Sequence, residues 1–194
     1  FSAATVNGLP APPPSGLVTG TGTGSMQSTA SLTTTAANAA APGAIALGNN
    51  AQALTNNAIS IGTNTRSKLS AIAIGDNTKG YADYQVVIGN NSSAGTNSSR
   101  ALAIGYNADV ANSAAAGIAI GDTAQCGFNS SIAIGTNTDT LALNSVALGA
   151  GAQATAVGSV ALGANVTAAT DNTATVNLLQ IAGYAGMNYA DDAA

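Results

Sequence analysis

The ionisable side chains that could do chemistry are few and widely spaced. Asp76 and Asp122 each follow a glycine of a repeated motif, a placement that could suggest calcium binding. They lie three repeats apart, about 14 Å at the spacing of parallel strands, whereas calcium ligands lie about 2.4 Å from the ion. We interpret both as turn residues. Asp109 and Asp139 are the carboxylates that could act on a glycosidic bond, provided that they pair in a groove between chains.

The composition argues against several function classes. Only 6% of the 194 residues are charged, and four Lys and Arg against eight Asp give a net charge of −4. Four dispersed cations cannot neutralise a stretch of nucleic-acid phosphates. The chain has no His, the commonest general base and metal ligand. No apolar run approaches the roughly 18 residues of a membrane-spanning helix. We therefore expect a non-enzymatic protein with no cofactor, metal site, nucleic-acid partner or membrane insertion.

A four-residue motif, two aliphatic residues around a small one and then Gly, recurs nine times. Successive glycines are 14, 13, 14, 16, 16, 14, 14 and 14 residues apart, and a degenerate tenth copy is expected at Val176-Asn177-Leu178. Repetition at a short, nearly fixed period predicts a solenoid with one coil per repeat. The nine glycines are Gly48, Gly62, Gly75, Gly89, Gly105, Gly121, Gly135, Gly149 and Gly163.

Each coil is predicted to contain two short strands and a turn. The β-branched triplet before Gly is typical of a strand. Asn stands two residues after most of the glycines, and both residue types tolerate left-handed backbone angles. Small and polar residues then alternate, which predicts a second strand with its small side chains inward and a polar column outward. Cys126 falls in a small inward slot and is interpreted as a core filler.

The first strand predicts self-association, because a strand that is apolar on both faces must be covered on both faces. We expect the small residue in the middle of each triplet to form a flat column that packs against another copy of the chain. This predicted interface consists of Ala46, Ser60, Ala73, Val87, Ala103, Ala119, Ala133, Ala147 and Ala161.

The chain divides into three predicted segments. Residues 1–42, rich in Pro, Gly, Thr and Ser, are expected to form an extended arm. Residues 43–178 form the solenoid, with two longer coils whose extra length, at residues 95–100 and 111–116, should bulge outward. Residues 179–194 form a tail without a heptad pattern.

The repeat resembles that of the YadA-like head of trimeric autotransporter adhesins, which is also found in bacteriophage fibre and virion-surface proteins. The resemblance implies an all-β, left-handed parallel β-roll of about nine to ten coils, assembled as a homotrimer. Such heads bind host surfaces or extracellular matrix, which implies an extracellular location. The motif is clearest in Asn144-Ser145-Val146-Ala147-Leu148-Gly149 and Gly158-Ser159-Val160-Ala161-Leu162-Gly163.

Two settings fit this resemblance. The sequence shows no signal peptide, coiled-coil stalk or membrane anchor of the adhesins, so we expect first a fibre or decoration protein on a phage virion. Its rod would bind a host receptor or glycan, and its N-terminal arm a virion or cell-surface protein. The alternative is the head of a bacterial adhesin that binds host matrix. A third possibility is a tail protein that processes polysaccharide through Asp109 and Asp139.

Candidate contact residues are the scarce cations and aromatics. Arg66 and Lys79 occupy the outward polar column one coil apart, and three tyrosines cluster near the longer coils. Exposed aromatic and cationic side chains are favoured at binding surfaces. The candidates are Arg66, Lys79, Tyr81, Tyr84, Arg100 and Tyr106.

Overall fold

A computed structural model describes residues 17–28 and 37–176. Most of the predicted arm and all of the predicted tail lie outside these residues. The described part contains 22 short strands and no helix. In chain order the strands are β1 (Leu17–Thr19), β2 (Met26–Ser28), β3 (Asn38–Ala39), β4 (Ile45–Leu47), β5 (Gln52–Ala53), β6 (Ile59–Ile61), β7 (Arg66–Ser67), β8 (Ile72–Ile74), β9 (Lys79–Gly80), β10 (Val86–Ile88), β11 (Ser93–Ala94), β12 (Leu102–Ile104), β13 (Asp109–Val110), β14 (Ile118–Ile120), β15 (Gln125–Cys126), β16 (Ile132–Ile134), β17 (Asp139–Thr140), β18 (Val146–Leu148), β19 (Gln153–Ala154), β20 (Val160–Leu162), β21 (Thr167–Ala168) and β22 (Ala174–Val176).

The strands form two sheets that run along the solenoid. The first sheet has the order β1-β2-β4-β6-β8-β10-β12-β14-β16-β18-β20-β22, and the second runs from β21 through the odd-numbered strands to β3. Each strand pairs in parallel with its counterpart one coil later, except that β1 is antiparallel to β2. The predicted all-β parallel solenoid of about ten coils is confirmed. Its left hand and its assembly into trimers stay predictions.

The last described strand corrects the predicted tenth repeat. β22 pairs with β20 so that Val160 lies beside Ala174 and Leu162 beside Val176. The tenth triplet is therefore Ala174-Thr175-Val176, two residues earlier than the apolar pattern suggested. The backbone continues the 14-residue step of the ladder even where the aliphatic residues stop.

Two turns in each coil use left-handed backbone. In the first turn the residue two positions after the repeat glycine has positive φ and is Asn in most coils, with φ of 55° at Asn50 and 52° at Asn107, as predicted. The second turn, just before the first-sheet strand, also holds a residue with positive φ, such as Tyr84 (59°) or Ala116 (54°). The sequence did not predict these positions, because neither residue type favours such a turn.

The core between the sheets is made almost entirely of Ala, Ser and Thr. Small residues of the second-sheet strands, such as Ala94 and Ala154, have no exposed surface and face the middle residues of the first-sheet triplets. Cys126 is buried among them, and the predicted outward polar column lies on the other face of the second sheet. Both of these predictions are confirmed.

The predicted interface column is wrong. Its nine members are 0% exposed within a single chain, so no second chain can contact their side chains. The tight turns bring the two sheets so close that only small side chains fit between them, and the aliphatic residues point outward instead. These aliphatic residues are half-buried at every coil except for the more exposed Leu162. The nine residues are Ala46, Ser60, Ala73, Val87, Ala103, Ala119, Ala133, Ala147 and Ala161.

The extra residues of the two longer coils form additional turns with exposed tips, at the positions where an outward bulge was predicted, and these turns stack on each other. Residues 96–97 and 112–113 are exposed at the tips, and the Asn97 amide donates to the Asn112 carbonyl at 3.1 Å. Gln85, fully buried, anchors the first tip from inside. Its Nε2 donates to the Gly95 carbonyl at 2.8 Å and to Ser98 Oγ at 2.9 Å, and its Oε1 accepts from the Ala82 amide at 2.9 Å.

Candidate functional site

The outward column of the second sheet brings the predicted cations together. Gln52, Arg66 and Lys79 lie on adjacent strands in direct register, followed by Ser93 and then Asp109. Neighbouring strands lie about 4.8 Å apart, so both positive charges fall within one short stretch of the surface. The column changes from basic to acidic over two coils.

Tyr81 holds the Arg66 side chain in place. Tyr81 comes two residues after Lys79 and so shares its face of the sheet. The Arg66 guanidinium carbon lies 5.7 Å from the centroid of the Tyr81 ring, within the range of a cation–π contact. The Arg66 Nε is buried and has no hydrogen-bond partner in the described part of the chain. Within the described residues no carboxylate forms an ion pair with Arg66, so the contact that positions its guanidinium there is the Tyr81 ring.

Amide side chains form a wall beside these cations. Asn50 Nδ2 donates to Asn64 Oδ1 at 2.9 Å, and Gln52 Nε2 donates to Asn50 Oδ1 at 3.0 Å. Together with Asn77 they border an open cleft of about 290 Å³. We call it the basic cleft; its lining residues are Asn50, Gln52, Asn64, Thr65, Arg66, Asn77, Lys79 and Tyr81. Sequence reasoning found the cations and Tyr81 but interpreted the asparagines only as turn residues.

The remaining candidate contact residues lie elsewhere. Tyr84 and Arg100 occupy the second turn in successive coils, and Tyr84 is 57% exposed. Tyr106 follows Gly105 in the first turn and is 53% exposed. None of these three residues lines the basic cleft, so Tyr84 and Tyr106 do not form a cluster with Tyr81 there.

The two candidate catalytic carboxylates lie two strands apart on the same face of the second sheet. Asp109 and Asp139 share the outward column, but Gln125 lies between them, which separates their strands by about 10 Å. Asp109 accepts a hydrogen bond from Ser93 Oγ. Burial raises the pKa of the Asp139 carboxyl above its ordinary value, an effect opposed by a hydrogen bond from the Thr140 amide.

Asp76 and Asp122 are exposed residues of the first turn. Their backbone carbonyls accept hydrogen bonds from the backbone amides of Asn91 and Asn137 of the next coil at 2.9 and 2.8 Å.

Within residues 17–28 and 37–176 there is no group of three or more Cys or Asp side chains that could hold a metal ion. No helix in the same residues has the length and apolar character needed to cross a membrane.

The outward aliphatic residues of the first sheet form a second candidate surface. In each triplet the first and third residues lie on the outer face, so two parallel columns run the length of the solenoid. We call them the apolar columns; they contain Ile45, Leu47, Ile59, Ile61, Ile72, Ile74, Val86, Ile88, Leu102, Ile104, Ile118, Ile120, Ile132, Ile134, Val146, Leu148, Val160 and Leu162.

Known proteins share this repeat and this fold. The YadA head domain repeat matches residues 35–65 and 142–165, in two copies. The crystal structure of the collagen-binding domain of Yersinia adhesin YadA is similar, with a TM-score of 0.50 and 23% sequence identity over 77% of this chain and 76% of that chain. No curated protein sequence shows significant similarity. The predicted resemblance is confirmed by the repeat and by the fold.

Proposed function

The chain contains a YadA-like head domain, and on this premise we propose that it is the non-catalytic head of a trimeric bacterial surface adhesin that attaches to host matrix. The matched repeat and the similar solved structure both carry the name of a bacterial adhesin. They favour this alternative over the phage fibre that we expected first, for which neither comparison gives support. The similar Yersinia domain is described as collagen-binding, so collagen is the first ligand to test.

The apolar columns are the observation that carries the proposal. A soluble single chain rarely exposes a continuous apolar surface of this length. Parallel sheets are usually covered on both faces, and here the core covers only one. Each chain has two apolar columns, so it can contact one neighbouring chain through each column. Three chains related by threefold symmetry form a closed ring in which all of these contacts are identical. Assembly would give a stiff rod that presents three copies of each outward surface.

Solution mass tests the assembly. We expect light scattering to give three times the chain mass of 18.5 kDa. Ile120→Glu places a charge in an apolar column and should lower the mass to that of one chain. Gln125→Glu adds the same charge to the exposed outer face of the next strand and should leave the mass unchanged. An Ile120→Glu protein that keeps three times the chain mass would show that the apolar columns are not the interface.

Attachment is tested with the same variants. The parent protein should bind immobilised collagen in a saturable way, and binding should weaken by more than tenfold when Ile120→Glu removes multivalency. Gln125→Glu is the charge-matched control. Equal binding to collagen and to an albumin-coated surface would contradict the matrix-binding function.

A further inference from the structure

We propose that the basic cleft binds a sulfated polysaccharide, with Arg66 and Lys79 contacting a sulfate group and the amide wall contacting sugar hydroxyls. This inference deepens the proposed attachment function, on which it rests for its biological setting. It assigns a ligand class to one defined surface of the head.

The first argument is the concentration of positive charge. The chain has only four Lys and Arg, and three of them, Arg66, Lys68 and Lys79, fall in two successive coils. In the described residues no Asp forms an ion pair with Arg66 or Lys79. An acidic protein thus keeps one surface where two cations are available to an anion. Such a patch attracts anionic partners over distances of about 10 Å at 0.1 M salt.

The second argument is the preorganisation of Arg66. Its guanidinium carbon lies 5.7 Å from the centroid of the Tyr81 ring, so the side chain is held before a ligand binds. A planar guanidinium presents a fork of donors that suits the oxygens of an anionic group, and it loses less freedom on binding when it is already held. Lys79, on the neighbouring strand, adds a second charge-assisted donor to the same anion.

The third argument is the amide wall. Asn64 receives a hydrogen bond from Asn50, and Asn77 donates one to Asn91 at 2.8 Å, but no side-chain bond joins Asn64 to Asn77. Among the described residues, the Nδ2 of Asn64 and the Oδ1 of Asn77 therefore have no hydrogen-bond partner, which leaves one donor and one acceptor at the cleft. Sugar hydroxyls both donate and accept, so this pair matches a polysaccharide well. An acidic peptide would make less use of the amides, and the cleft offers it no apolar pocket.

The fourth argument concerns the direction in which a bound polysaccharide would extend along the solenoid. Tyr81 also lines a neighbouring cleft of about 320 Å³ on its other side, which contains Asp109. The Asp109 carboxylate repels a second sulfate there. The polysaccharide should therefore extend from Arg66 toward Gln52 and Asn50, away from the longer coils.

Binding of heparin, the probe, is measured by biolayer interferometry on assembled protein at two salt concentrations. We expect Arg66→Gln and Lys79→Gln to weaken binding at least tenfold, and Arg66→Lys to weaken it less. Arg100→Gln removes the same charge from a turn outside the cleft and should change affinity less than twofold. Solution mass and heat resistance equal to the parent's establish that each variant is folded.

Three outcomes would overturn the proposal. The first is an equal loss from Arg66→Gln and Arg100→Gln, which would mean that only net charge matters. The second is equal binding of uncharged dextran, and the third is tighter binding of polyglutamate than of heparin, which would indicate an acidic protein partner. Collagen binding separates this proposal from the attachment function: if collagen binds and heparin does not, the cleft assignment fails while the adhesin function stands.

Discussion

Replacing one repeat glycine by alanine tests whether the glycine column sets the spacing of the coils. Gly105 has φ of 138°, which L-residues rarely adopt. A Cβ added there would lie 2.2 Å from the carbonyl oxygen of Gly121 on the next coil. Because that oxygen belongs to the backbone, the neighbouring coil itself has to move. Gly105→Ala should therefore open the ladder between two coils.

The expected cost follows from two contributions. Forcing a non-Gly residue into this backbone region costs about 1–3 kcal/mol. Moving these two coils apart weakens two ladder hydrogen bonds that cross the gap, from the Gly121 amide to the Ile104 carbonyl and from the Thr123 amide to the Tyr106 carbonyl, both 2.8 Å long. Each contributes about 1 kcal/mol. Gly105→Ala should lower the free energy of unfolding by about 3–5 kcal/mol per chain.

Guanidinium unfolding followed by circular dichroism, at one fixed protein concentration, measures this change. The matched control is Gly151→Asn. Gly151 has φ of 67°, and a Cβ there meets only the end of the flexible Asn165 side chain. Since most other coils carry Asn at this position, the control should stay within about 0.5 kcal/mol of the parent. A Gly105→Ala protein equally close to the parent would refute the steric argument.

Three further predictions concern two buried side chains, Gln85 and Cys126, and the half-buried Asp139. Gln85→Leu leaves the buried Ala82 amide without its hydrogen-bond acceptor, whereas the Gly95 and Ser98 carbonyls keep other donors, and chemical denaturation should show a loss of about 1–3 kcal/mol in the free energy of unfolding. Cys126 is 1% exposed and its Sγ lies 2.9 Å from Ser131 Oγ, so a thiol reagent should label it only after denaturation. Burial raises the pKa of Asp139 above 3.8, so the folded chain holds this proton more tightly than the unfolded chain. Stability should then fall as pH rises from 3.8 through the raised pKa, and Asp139→Asn should remove this part of the pH dependence of unfolding.

The repeat could be predicted from sequence because its signals are local. Gly and Asn at fixed spacing specify the first turn by their own backbone preferences, as at Gly48 and Asn50. Alternation of small and polar residues places Gln125 outward and Cys126 inward without any knowledge of the neighbouring coil. These predictions depend on residue type alone.

The orientation of the first strand could not be predicted, since both of its faces are apolar. Alternation shows that Ala119 points away from Ile118 and Ile120, but it does not show which side is the core. The answer depends on the distance between the sheets. That distance is fixed by turns in which residues such as Arg100 adopt a left-handed conformation, held by the ladder and not by their own preference.

Only some of the residues that line the basic cleft could be predicted from the sequence. Arg66 and Lys79 share a position in successive repeats, so their proximity follows from the register. The stacking of Arg66 on Tyr81 depends on side-chain conformation. The row of asparagine side-chain hydrogen bonds is broken between Asn64 and Asn77, and this break depends on how the amides pair. Neither can be deduced from the spacing.

The antiparallel strand β1 has a consequence for polymerisation. A parallel solenoid has an open edge at each end, and a second rod could add there in register to give a filament without limit. At the N-terminal edge of the first sheet, as far as the described residues extend, Leu17–Thr19 runs in the opposite direction to β2, with Val18 opposite Gln27. The hydrogen-bonding pattern that β1 presents therefore no longer matches that of an incoming parallel coil. This reversal favours rods of defined length over end-to-end fibrils.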